Sequence, residues 1–150
     1  SGFNLRSTDI AASIGLSQFK DLDKFIKIRN LNRKKIINEF NKSKVRDKIT
    51  IIKENDGIKA SWFGIPIVLS KKINKKLFIK KIEKKGVETR PIISGNFLKQ
   101  PSVKKYKLKT YSKMKNADYI NNYGFFIGLP TKSISSLIIK KLIKVFEQSA

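Results

Sequence analysis

The chain has 150 residues, 40% of them hydrophobic, and a formal charge of +23. That length suits one small domain with a real core, and the apolar content excludes a wholly disordered tail. Cysteine and histidine are both absent, which removes disulfides, thiolate nucleophiles, imidazole bases and the usual zinc ligands, so no metal site is expected.

No apolar run approaches the roughly 20 residues that span a bilayer, and the first residues lack the basic-then-apolar layout of a signal peptide. The expectation is a soluble, cytoplasmic protein with no membrane partner. The charge raises nucleic acid as a partner, because clustered cations release phosphate counterions. Lys supplies 29 of the 34 cationic residues and is spread over every segment. Such a distribution reads first as a solvated surface, and no specific nucleic acid is expected.

Ser7, Thr8 or Asp9 can cap a first short helix from Ile10, interrupted near Gly15. From Asp21 to about Asn41 the residues Leu22, Phe25, Ile26, Arg29, Arg33, Ile36, Ile37 and Phe40 recur three or four apart, which predicts a long helix with one largely apolar face. Ile49–Lys53 and Ser61–Ser70 are rich in β-branched and aromatic residues and flank the turn-forming Asn55-Asp56-Gly57, so they predict neighbouring strands. Pro66 within the second suggests an edge or a bulge.

Asn74 can cap a helix to Lys85 that Gly86 stops, and Val87 to Ile93 reads as a strand. Ser94 to Pro101 reads as a loop. Ser112 to Asn122 and Ile134 to Phe146 look helical, with a short strand from Phe125 to Gly128 between them. The order predicts an α+β fold: a long N-terminal helix plus a mostly antiparallel sheet covered by helices. One domain is expected over 1–150, with a helical arm and long helix over 1–42 and the α+β sheet portion over 43–150.

The opening Gly2-Phe3-Asn4-Leu5-Arg6-Ser7-Thr8-Asp9-Ile10-Ala11-Ala12-Ser13-Ile14-Gly15, with Gln18-Phe19-Lys20-Asp21-Leu22, resembles the DegT/DnrJ/EryC1/StrS family of sugar aminotransferases and dehydratases. A second block, Gly86-Val87-Glu88-Thr89-Arg90-Pro91-Ile92-Ile93-Ser94-Gly95-Asn96-Phe97-Leu98-Lys99-Gln100-Pro101, is similar to the subgroup of nucleotide-sugar 3-dehydratases. That subgroup contains the CDP-4-dehydro-6-deoxyglucose and GDP-4-dehydro-6-deoxymannose enzymes. Ser61-Trp62-Phe63-Gly64, Asn116-Ala117-Asp118-Tyr119-Ile120 and Gly124-Phe125-Phe126-Ile127-Gly128 fit the same subgroup in order.

The resemblance implies the small C-terminal domain of a fold-type-I enzyme that uses pyridoxal phosphate or pyridoxamine phosphate. The large domain, with its pyridine-nitrogen carboxylate and its anchoring Lys or His, is absent from this sequence, so the chain alone is expected to be inactive. The resemblance also implies a homodimer in the full-length enzyme, a nucleotide-linked keto sugar as substrate, and a place in lipopolysaccharide or other surface-polysaccharide biosynthesis.

Asn4 matches a family position on a loop that reaches the neighbouring subunit's site and hydrogen-bonds the cofactor phosphate, chemistry that suits an amide donor. From spacing alone it reads first as shaping a turn after Gly2. Arg6 and Thr8 are candidates for phosphate or substrate contacts, although Thr8 could be only a helix cap. Arg90 could present its guanidinium to a diphosphate or sugar oxygen, or pair at the surface with Glu88. Ser94, Gly95, Asn96 and Phe97 offer close backbone approach, an amide for sugar hydroxyls and an aromatic wall, and could equally be an ordinary loop anchored by Phe97.

Trp62, Phe63, Tyr119, Tyr123, Phe125 and Phe126 read first as packing. No acidic pair has the isolation of a general acid and base, so no catalytic residue is assigned. Three alternatives to the 3-dehydratase remain at this point: the same domain of a sugar aminotransferase, a basic nucleic-acid-binding module, and a domain that serves only dimerisation.

Overall fold

The computed structural model describes residues 8–110 and 112–150. Asn4 and Arg6 therefore lie outside the described residues.

Apolar residues at every second position of three segments build one side of a sheet. Its strands are β1 (Ile49–Ile51), β2 (Gly64–Leu69), β3 (Thr89–Arg90) and β4 (Gly124–Gly128), in the order β1-β2-β4-β3 with every neighbouring pair antiparallel. The register sets Ile51 opposite Ile67, Ile67 opposite Phe125 and Ile65 opposite Ile127. All of these are buried, on one face.

Three helices cover that face. α2 (Leu22–Phe40) contributes Ile36 and Phe40, α3 (Lys75–Lys84) contributes Phe78 and Ile82, and α6 (Ser136–Glu147) contributes Ile139, Ile143 and Phe146. The Phe78 ring lies 5.9 Å from both Phe125 and Phe146, so it joins α3, β4 and α6. Burial of each such side chain contributes about 1.5–3 kcal/mol. Asn74 caps α3 by accepting from the Leu77 N–H at 3.1 Å, Gly86 follows it with φ of 85°, and Ser135 caps α6.

α2 is tied to the rest by polar groups as well. Asn32, buried in the helix, donates to the carbonyls of Pro130 and Lys132 at 3.2 and 2.8 Å and accepts from the Ile134 N–H at 3.0 Å. Arg33, which the periodicity placed among apolar neighbours, is buried and lies over the Trp62 ring, its guanidinium carbon 4.3 Å from the centroid. Glu54 accepts from Arg33 Nη1 at 3.1 Å and also from the Trp62 indole N–H. Trp62 is partly buried against the core, as packing required.

Several expectations change. α1 (Asp9–Phe19) runs unbroken through Gly15, because a single glycine weakens a helix by about 1 kcal/mol without ending it. Pro66 lies in β2, a central strand, paired opposite Phe126 without a bulge. It is tolerated because its carbonyl accepts from the Ile52 N–H at 3.1 Å. In an extended strand a residue's N and C=O point to the same side, so the missing donor faces the point just past Ile51 where β1 stops.

The strand expected from Val87 to Ile93 shrinks to Thr89–Arg90. Pro91 has no N–H to continue a ladder, and Ile93 turns to φ of 35°. The expected loop from Ser94 holds a 3-10 turn at Phe97–Lys99 and a short helix α4 (Pro101–Lys105), which Pro101 opens at its first position. α5 (Lys115–Tyr123) leads directly into β4.

Candidate active-site loop and its family

β3 carries Arg90 into the segment that follows Pro91. The chain reverses at once: the Gly95 N–H donates to the Ile92 carbonyl at 2.7 Å, with Gly95 at φ of 57°. Ile93, 85% exposed, holds a left-handed conformation that a β-branched residue adopts only under constraint. No local pattern foretells it.

α5 supplies the constraint. Asn121 Oδ1 accepts from the Asn96 N–H at 3.4 Å, and a β-carbon at Gly95 would stand 2.3 Å from that same oxygen. Asp118 Oδ1 accepts from Asn96 Nδ2 at 2.9 Å and pairs with Lys99 Nζ at 2.8 Å. Asn96 Oδ1 accepts from the Leu98 N–H at 3.0 Å, and Gln100 Nε2 donates to the Ser94 carbonyl at 3.0 Å. The hydrogen bonds from Lys99 and Asn96 hold the Asp118 carboxyl below its ordinary value.

The buried Asn96 side chain thus shapes the loop, its amide engaged with Asp118 and its oxygen with the backbone. Phe97 is half exposed. Ser94 and Gly95 line a small cavity of about 190 Å³ with Lys75, Gln100 and Asn121. Lys75 Nζ donates to the Asn121 carbonyl at 3.0 Å, near the end of α5, and partial burial lowers its pKa.

Arg90 lies elsewhere. It stands at the rim of a groove of about 820 Å³ floored by Val87, Phe126, Ile127, Leu142 and Val145. Its Nη2 meets Glu88 Oε1 at 2.5 Å, an exposed pair. Thr8 caps α1, accepting from the Ala11 N–H at 3.3 Å. The structure therefore sets Arg90 and the Ser94-Gly95 turn in two separate recesses joined by Pro91 to Ile93. Asp118, Asn121 and Lys99 hold this region together. Asp118 and Lys99 belong to the family-like stretches 116–120 and 86–101, whereas Asn121 lies just beyond them.

The description of the DegT/DnrJ/EryC1/StrS aminotransferase family matches residues 1–135. The chain belongs to that family. GDP-4-keto-6-deoxy-D-mannose 3-dehydratase of Yersinia pseudotuberculosis is 32% identical over 150 residues, which cover 98% of this chain and 37% of the relative. The enzyme of the same name from Escherichia coli is 31% identical over 130 residues, 85% of this chain and 32% of the relative. This family member thus spans about a third of the length of the curated relatives it matches.

Among solved structures, E. coli GDP-4-keto-6-deoxy-D-mannose-3-dehydratase with bound hydrated PLP superposes with a TM-score of 0.85 at 28% identity, over 97% of this chain and 36% of that one. The Helicobacter pylori aminotransferase PseC shares the fold at a TM-score of 0.79 and 17% identity, over 99% of this chain and 38% of that one.

Proposed function

We propose that this chain is the carboxy-terminal part of a nucleotide-sugar 3-dehydratase that removes the C3 hydroxyl from a 4-keto-6-deoxysugar during surface-polysaccharide biosynthesis, and that it is inactive by itself. The observation that carries this reading is the identity of 31–32% to two GDP-4-keto-6-deoxymannose 3-dehydratases, one of them along 98% of the chain. The aminotransferase PseC, at 17%, shares the fold alone. A further relative, 27% identical, is the Salmonella typhimurium lipopolysaccharide biosynthesis protein RfbH.

The described residues do not fit a pyridoxal or pyridoxamine phosphate by themselves. No acid lines the cavity beside Ser94 and Gly95, whose Lys75 is engaged by the Asn121 carbonyl, and in the groove Glu88, the acid that could face a pyridine nitrogen, is paired with Arg90. In this reading the cofactor, which supplies an electron sink when bound, is held mainly by chain outside these 150 residues. Asn4 contributes a phosphate contact, across subunits of a homodimer.

This chain's own part is recognition. Arg90, exposed at its rim, exchanges Glu88 for a diphosphate oxygen, a stronger and more specific partner for a guanidinium. Arg6 and Thr8 add contacts from the arm. The Ser94 to Phe97 turn, stiffened by α5, presents backbone and an aromatic face to the sugar. No specific nucleic acid enters this scheme.

The test is a chimera in which this chain replaces the matched segment of the E. coli enzyme. It is expected to dehydrate GDP-4-keto-6-deoxymannose, while the isolated chain does nothing. A folded, cofactor-loaded chimera that only transfers an amino group, or an isolated chain that turns over substrate, would overturn the reading.

A further inference from the structure

Helix α1 is apolar on nearly every side. Ile10, Ile14, Leu16 and Phe19 are 74, 56, 74 and 70% exposed, and at about 100° per residue they point in widely different directions, with Ala11, Ala12 and Gly15 between them. The serines ask little of water: Ser13 Oγ donates to the Ile10 carbonyl at 2.9 Å and Ser17 Oγ to the Ile14 carbonyl at 2.8 Å, both folded back on their own helix. No residue of α1 is buried, so nothing among the described residues encloses it. A helix that is hydrophobic all round belongs inside a folded body.

The geometry selects among occupants. Eleven residues rise about 16 Å, half of the roughly 30 Å a bilayer core requires. The same helix from a second copy would cover one stripe and leave the opposite one, either Ile10 and Ile14 or Leu16 and Phe19, in water. Enclosure from several sides needs a body with more than one element to offer. The relatives carry about two-thirds of their length outside the matched stretch.

We infer that α1 is an internal helix of a longer polypeptide, enclosed by the part of that polypeptide outside these 150 residues, and that it is the joint fixing the two parts relative to each other. This rests on the reading of the chain as part of a longer enzyme, but not on which reaction that enzyme performs.

The experiment compares the isolated chain with the chimera, each carrying Ile14→Lys or Leu16→Lys, substitutions on different sides of the helix. In the isolated chain α1 amides should exchange fast and neither lysine should change cooperative melting. In the chimera α1 amides should exchange roughly 100-fold more slowly, and both lysines should lower the melting temperature by several degrees.

Equal exchange in both proteins overturns the inference. So does a loss of melting temperature in the isolated chain, which would place α1 on its own sheet portion, or an isolated dimer that both lysines dissolve, which would make a second copy the occupant. A second chimera joined at Lys20, keeping the E. coli helix, covers misfolding. If it folds and the one containing α1 does not, the inference fails. If neither folds, this inference and the proposed function fall together. Protection of α1 in a folded chimera that does not dehydrate would sustain the joint while removing the reaction.

Discussion

Arg33 Nη2 donates to the carbonyl of Ile52 at 2.7 Å, and that carbonyl is the one Pro66 cannot serve. Ile52 donates its N–H to Pro66, so its C=O faces the imide nitrogen, where an ordinary residue would return a ladder bond. A buried guanidinium from α2 fills the vacancy and anchors the strand connection through Glu54 and Trp62.

Arg33→Met should therefore cost about 2–3 kcal/mol, since hydrogen bonds involving a charged group are worth about 1.5–3 kcal/mol and the buried Arg33 makes them to the Ile52 carbonyl and to Glu54. Urea denaturation of the isolated chain measures it. The cost should shrink in a Pro66→Val background, where the valine N–H can answer Ile52. An equal cost in both backgrounds would show that the two groups do not share the acceptor.

Gly95→Ala should destabilise the chain by about 1–2 kcal/mol from the left-handed backbone alone, with more from the collision with Asn121. Asn121→Ala in the same chain should recover the collision part and leave the backbone part. Thermal melting of the two single variants and the double variant separates them.

The loop from Ser94 to Gln100 should loosen in acid. Asp118 has a folded-state pKa below its ordinary value, so its stabilising contribution is complete above the ordinary aspartate value and is lost as pH falls through the depressed one. Amide exchange of residues 94–100 relative to β2 reads this directly. In Asp118→Asn the relative protection should be low at every pH and no longer change with acid.

Arg90→Ala should leave the melting of the chain within about 0.5 kcal/mol, because an exposed pair such as that with Glu88 contributes little. In the chimera it should weaken nucleotide-sugar binding roughly tenfold or more, the loss of one charge-assisted bond. Calorimetric titration with the nucleotide sugar distinguishes this from a merely structural arginine, whose loss would shift melting and leave affinity unchanged.

Legibility followed the range of the interactions. α2, α3 and α6 are legible because their buried residues recur at three and four, and the Asn74 cap of α3 on Leu77 is local; the Ser135 cap of α6 is hidden, since the apolar pattern carries the expected helix back to Ile134. β3 reads too long because Val87, Thr89, Ile92 and Ile93 are β-branched, as strands favour; only the absent donor of Pro91 and the reversal at Ile93 stop it. The loop's shape was invisible for a different reason. Asn121 and Asp118 grip it from about 20 residues away or more, and no spacing rule connects an amide on one helix to a glycine in a distant turn. Nor did any local pattern show that Asn96 would spend its amide internally.

The strand order β1-β2-β4-β3 has an evolutionary consequence. β3 hangs on β4 alone, through Thr89 opposite Ile127 and Arg90 opposite Phe126, and residues 91–123 leave that edge and return to it. Along the sheet this stretch is closed by a ladder two residues long, and α5 seats it on the scaffold, through the Tyr119 hydroxyl on the Leu69 carbonyl and Lys75 on the Asn121 carbonyl. The turn and short helix before α5 can change length, as surface connections tolerate, while β1, β2 and the three covering helices keep their register. In the proposed function, the turn that faces the sugar can therefore change without refolding the scaffold.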